Sequence, residues 1–104
     1  MTINKYISDK FQKYRIQLSE ADLLDIALSN SLNGEDEVMD KNVSKVNVAI
    51  ARFIPELLLS PTSIGESGFS ISWDIKGVKD YYSLLCKKYG LKDQLNNKPK
   101  VTFL

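Results

Sequence analysis

Apolar residues recur at helical spacing through the first third of the chain and predict two helices there. The first helix is predicted from about Asn4 to Tyr14, with Thr2 as its N-cap. The second begins after Ser19, which forms a short capping box with Asp22, and ends at Asn33-Gly34. The buried stripe of the second helix is predicted to contain Leu23, Leu24, Ala27 and Leu28.

Two further helices are predicted in the rest of the chain. The third, residues 42–60, is apolar around most of its circumference, which is typical of a central helix. Pro55 cannot donate a backbone hydrogen bond, so it should kink this helix or start a second short one. Asp74 caps the fourth helix and Gly90 ends it. Its inner stripe is predicted to contain Val78, Tyr82, Leu85 and Tyr89, with Tyr81 and Leu84 beside them.

In the stretch between these helices, SIGESGFSISWD (residues 63–74), a turn rich in Gly and Ser is followed at residues 69–73 by the period of two that is typical of a β-strand. A strand needs a hydrogen-bonding partner, which would be residues 100–104 of the same molecule or a neighbouring copy. The predicted fold is therefore mainly α, one domain over residues 1–104, with four to five short amphipathic helices and a small β element at about 69–73. The strand would carry Phe69, Ile71 and Trp73 on one face and Ser70 and Ser72 on the other.

Composition limits the chemistry that the chain can perform and the compartment in which we expect it. The 104 residues include no histidine and one cysteine, Cys86, which sits in a helical apolar pattern and is expected to be a buried filler. We therefore expect no enzyme activity, no metal site and no cofactor. No apolar run is long enough to cross a membrane, and the N-terminus lacks a secretory signal, which favours the cytoplasm.

Charge is distributed unevenly along the chain. Residues 1–74 hold 7 Lys and Arg against 11 Asp and Glu, a net charge of −4, whereas residues 75–104 hold 7 Lys against 2 Asp, a net charge of +5. These are either two ordinary solvated surfaces or complementary surfaces of copies that pack head to tail. The third predicted helix is too apolar to lie in a DNA groove, so we do not expect sequence-specific DNA binding.

The order of elements resembles that of the small head–tail connector (adaptor) and neck proteins of tailed phages and prophages. An apolar central helix is followed by Ser63-Ile64-Gly65, by the acidic Glu66, and by the run aromatic-Ser-aliphatic-Ser-aromatic over residues 69–73. The resemblance at residue level is confined to this stretch. The acidic segment before the third helix, the length of the last helix and the tail KPKVTFL depart from the general pattern.

The resemblance implies a ring of subunits between portal and tail, located in the host cytoplasm and then in the virion. Its partners would be further copies of the chain and the portal and tail proteins, and DNA would only pass through the channel without sequence preference. Two alternatives stay open: the strand pairs within a monomer, or the chain is a small cytoplasmic interaction module that regulates a host protein. The residues expected at the subunit interface are Glu66, Ser70, Ile71, Ser72, Trp73, Lys76 and Lys79.

Ile71→Pro tests strand pairing between copies. Proline removes a backbone donor from the predicted strand, so we expect this variant to lose assembly while its helices persist. Light scattering over a concentration series measures assembly, and far-ultraviolet circular dichroism measures helix content. A variant that assembles like the wild-type chain would show that no strand is added between copies.

Overall fold

The computed structural model describes residues 1–59 and 73–95, with the exception of the Leu59 side chain, and these residues form four α-helices. They are α1 (Ile3–Gln12), α2 (Glu20–Ser29), α3 (Val43–Leu59) and α4 (Ile75–Tyr89). The prediction of a mainly α fold is thus confirmed. The predicted strand and its partner at 100–104 lie outside the described residues, apart from Trp73, which forms a bend leading into α4.

The predicted helix starts are confirmed by their capping hydrogen bonds. The Thr2 hydroxyl accepts a bond from the Lys5 amide at 3.2 Å. The Ser19 hydroxyl accepts from the Asp22 amide at 3.1 Å, and the Asp22 carboxylate accepts from the Ser19 amide at 3.2 Å, which completes the capping box. Each bond satisfies an amide that has no partner inside its own helix.

Helix α3 is the centre of the domain and packs against each of the other three helices. Val46, Ile50 and Ile54 are completely buried along it. Pro55 lies inside α3, which continues to Leu59, so no second helix starts there. Phe53 of α3 meets Phe11 of α1 edge to face, with ring centroids 5.9 Å apart.

The predicted stripe of α2 is wrong at two of its four positions. Ile26 and Ala27 are buried, whereas Leu24 is 57% and Leu28 is 68% exposed. The apolar residues of α2 spread over more than one side of the helix, and its main partner, α3, covers only one side. The outer leucines therefore remain in solvent.

Helices α1, α2 and α4 end in the same way, with a residue in the left-handed region. The residues are Arg15 (φ 64°), Ser31 (φ 56°) and Gly90 (φ 68°). The amide that follows each of them donates back to a carbonyl five residues earlier: Ile16 to Phe11 at 3.1 Å, Leu32 to Ala27 at 2.8 Å and Leu91 to Cys86 at 2.8 Å. The predicted end of α2 at Asn33-Gly34 is wrong by about four residues, because Ser31 adopts the conformation that glycine would favour.

The acidic segment between α2 and α3 is a loop, as predicted, and its backbone is bound to the start of α1. The Ile3 amide donates to the Asp36 carbonyl at 2.8 Å, and the Asn4 amide donates to the Gly34 carbonyl at 3.0 Å. Thr2 and Glu37 form an isolated antiparallel bridge. These bonds satisfy the first amides of α1, which its own helix leaves without partners.

Substitutions at the three residues with positive φ test whether this backbone conformation ends the helices as described. Arg15→Gly and Ser31→Gly should each raise the free energy of unfolding, by up to about 1 kcal/mol, because glycine adopts a positive φ without steric cost. Gly90→Ala should lower the free energy of unfolding by about 1 kcal/mol, because alanine adopts a positive φ only at a steric cost. No atom lies within 4 Å of the added methyl group, so the positive φ alone accounts for the loss. Chemical denaturation measures all three, and a neutral Gly90→Ala would contradict the account.

Candidate functional site

The structure describes three of the residues predicted at the subunit interface. Trp73 is half-buried and packs against the hydrophobic core, whereas Lys76 and Lys79 are exposed on the first turns of α4. The Lys76 ammonium pairs with the Asp80 carboxylate at 3.0 Å on the surface. The other predicted interface residues lie outside the described part of the chain: Glu66, Ser70, Ile71 and Ser72.

The start of α4 is hydrogen-bonded to the turn that follows α1. The Asp74 amide donates to the Tyr14 carbonyl at 2.8 Å. The Asp74 carboxylate caps α4 by accepting from the Gly77 amide at 2.9 Å. A side chain at Gly77 would lie too close to this carboxylate and to the Tyr14 ring, so one of these two groups would have to shift. Trp73 is therefore held beside its own core.

Two tyrosines stack across the same junction. The rings of Tyr14 and Tyr81 lie 5.6 Å apart and are inclined by 26°. The Tyr81 hydroxyl is buried and has no hydrogen-bond partner among the described residues. Burial raises the pKa of Tyr81 well above the ordinary tyrosine value, and the nearby Tyr6, Tyr14 and Tyr89 hydroxyls raise it further.

Helix α2 presents an exposed apolar and acidic surface, which we call the α2 face. Two leucines one turn apart lie on it between two carboxylates, which give a formal charge of −2. Beside it, α2, the start of α1 and the acidic loop enclose an open groove of about 710 Å³, to which Glu35 contributes. The α2 face consists of Glu20, Ala21, Leu24, Asp25 and Leu28.

Helix α4 presents a second exposed surface, the α4 face, with the opposite charge. Leu84 at its centre is 61% exposed. Three lysines and one aspartate surround it, so the formal charge is +2. The α4 face consists of Lys76, Asp80, Leu84, Lys87 and Lys88.

The two faces belong to helices on different sides of α3. Arg52 and Glu56 of α3 line a groove next to α2 and also a groove next to the end of α4. The Arg52 guanidinium donates to the Asn30 side-chain oxygen at the end of α2, at 3.3 Å. Helices α2 and α4 thus flank the exposed ridge of α3, and each keeps its outer face in solvent.

Sequence reasoning missed both faces as surfaces because it assigned their leucines to the core or its edge. A signal was present in α2, where five of the six residues from Leu23 to Leu28 are apolar. Such a helix has more apolar surface than one neighbour can cover. Leu84 lies in a similar run, because five of the six residues from Tyr81 to Cys86 are apolar or aromatic.

The cysteine and the carboxylates, which are the side chains considered for catalysis or metal binding, do not form a reactive or metal-binding site within the described residues. Cys86 is buried, as predicted, and its thiol lies 3.9 Å from the Lys92 carbonyl. Burial raises the pKa of this thiol, which disfavours the reactive thiolate. Within residues 1–59 and 73–95, no group of three Cys, Asp or Glu side chains is arranged to hold a metal ion. Every helix in that part is too short or too polar to span a bilayer.

The described residues define a small all-helical domain with one hydrophobic core, exposed apolar faces of opposite charge on α2 and α4, and a segment that enters α4 through an anchored tryptophan. Over residues 1–103 the chain belongs to DUF6706, a family of unknown function. Comparisons with curated proteins and with solved structures found no match.

Adjacent tyrosines on α4 should respond differently to loss of the hydroxyl. Tyr81→Phe should leave the free energy of unfolding at pH 7 unchanged or raise it by up to about 1 kcal/mol, because it removes a buried hydroxyl without a partner. Tyr82→Phe should lower it by about 1 kcal/mol, because the Tyr82 hydroxyl accepts from the Gln94 amide at 3.0 Å and donates to the Lys92 carbonyl at 3.4 Å. Urea denaturation measures both.

The raised pKa of Tyr81 also predicts a pH dependence. The unfolded chain ionises this tyrosine near the ordinary value of 10.0, before the folded chain does, so stability should fall as the pH rises through that value. Tyr81→Phe should reduce this loss between about pH 9 and 11. It should not abolish the loss, because burial also raises the pKa of Tyr14 and Tyr82. An equal loss in the variant would contradict the burial of this hydroxyl.

Proposed function

We propose that the chain is a structural protein of a tailed phage or prophage, a head–tail connector or tail-completion component that assembles as a ring through head-to-tail contacts. It would be made in the host cytoplasm and become part of the virion. Its partners would be further copies of itself and the portal and tail proteins. DNA would pass through the ring without sequence-specific contacts.

The observation that carries the proposal is the anchoring of Trp73. In the connector interpretation, the apolar side chains of the strand hold it to its own helices, and its backbone and serine side meet a neighbour. Trp73 packs on the core of its own chain, and the adjoining Asp74 is bonded to Tyr14. Lys76 and Lys79 then follow on an exposed surface, as a polar rim beside such a contact requires.

A small cytoplasmic interaction module is the second candidate. The two exposed leucines of α2 favour it, because an apolar patch rimmed by charges is typical of protein-binding surfaces. The two candidates differ in where the chain is found. A connector is a stoichiometric part of the particle, whereas a regulator stays in the host cell.

The particle itself tests the proposal. In the phage or prophage that encodes the chain, deletion of its gene should leave DNA-filled heads and separate tails, visible by electron microscopy, with loss of infectivity. Expression of the wild-type chain from a plasmid should restore joined particles, and mass spectrometry of purified particles should detect the chain. Normal particles that lack the chain would contradict the proposal and favour the interaction module.

A further inference from the structure

We propose that the α2 face of one copy binds the α4 face of a second copy. The inference rests on the proposed function for its role in a ring, and it assigns a contact additional to the predicted strand. The occupant of each face would therefore be another molecule of this chain.

The apolar parts of the two faces are suited to each other. Leu24 and Leu28 are more than half exposed and lie one turn apart, and Leu24 lines the groove that α2 forms with the start of α1. Leu84 is a single exposed leucine that projects from the middle of α4. In the proposed contact Leu84 enters the groove beside Leu24, and all three leucines leave water.

The charges are complementary as well. The α2 face has a formal charge of −2 and the α4 face a formal charge of +2. The contrast extends beyond the faces: residues 20–40 contain seven Asp and Glu and no Lys or Arg, whereas residues 75–92 contain five Lys and one Asp. Each face would repel a second copy of itself and attract the other face, which opposes a symmetric dimer and favours head-to-tail contacts.

The placement of the faces fits assembly of many copies. Because α2 and α4 flank α3 on different sides, a copy that binds through its α2 face keeps its α4 face free for another copy. Such a heterologous contact continues until the copies close a ring or extend as a filament. A contact between identical faces would stop at two copies.

Two charge-altering variants test the contact. The α2 variant combines Leu24→Lys with Leu28→Lys, and its control places two lysines at the exposed positions Gln12 and Ser44. All four positions are exposed, so the substitutions should not disturb the core. Circular dichroism should therefore show the helix content of the wild-type chain in both proteins.

The α4 variant combines Leu84→Glu with Lys87→Glu. Its control combines Gln17→Glu with Lys13→Glu, which makes the same change of −3 in formal charge at exposed positions. Sedimentation velocity and native mass spectrometry measure association up to about 1 mM chain. Wild type and both controls should associate, and each face variant alone should associate at least about tenfold more weakly.

An equimolar mixture of the two face variants gives the decisive result. The α2 variant keeps an intact α4 face and the α4 variant keeps an intact α2 face, so the mixture should form a one-to-one dimer and grow no further. Higher salt should weaken this dimer. Face variants that associate like wild type, or a mixture that stays monomeric while wild type associates, would overturn the inference.

Failure of this inference differs from failure of the proposed function. A wild-type chain that stays monomeric at about 1 mM overturns the face-to-face contact, and the particle experiment still decides the function. A chain that associates through these faces but is missing from normal particles would retain the contact and refute the connector role.

Discussion

The burial of α3 on every side except the ridge that carries Arg52 and Glu56 is the constraint on which the rest of the structure depends. Val46, Ile50 and Ile54 are completely buried along one line of the helix, and Ala49 and Ala51 are buried on either side of it. One neighbouring helix cannot cover so much of a helix, so three must surround it. The small alanines allow close approach, and the larger side chains of α1, α2 and α4 fill the remaining space.

A central helix leaves its neighbours with one covered side each. Helix α1 meets this condition with a narrow stripe, in which Ile3, Ile7 and Phe11 are buried. Helix α2 has more apolar side chains than its contact with α3 can bury, and one leucine of α4 remains exposed to solvent. The exposed faces are thus a consequence of the architecture: apolar residues beyond those needed around α3 find no cover among residues 1–59 and 73–95.

Sequence reasoning succeeded where local chemistry decides the outcome. The caps at Thr2, Ser19 and Asp74 depend on residues three positions apart, so they could be predicted without the fold. The end of α2 could not, because Ser31 has no intrinsic preference for a positive φ and adopts it where Leu32 bonds back to Ala27. The buried side of α2 depends on where α3 lies, which is tertiary information. The strand prediction concerns residues outside the described part of the chain.

The acidic loop is held to α1 through its backbone, since the carbonyls of Gly34 and Asp36 receive the first amides of that helix. The carboxylates of Glu35 and Asp36 have no part in these bonds. The position of this loop therefore does not depend on the charge of these two carboxylates. Substitutions at these two exposed side chains can alter the charge beside the α2 groove while the backbone bonds that hold the loop remain, so the binding preference of this surface can change with little effect on stability.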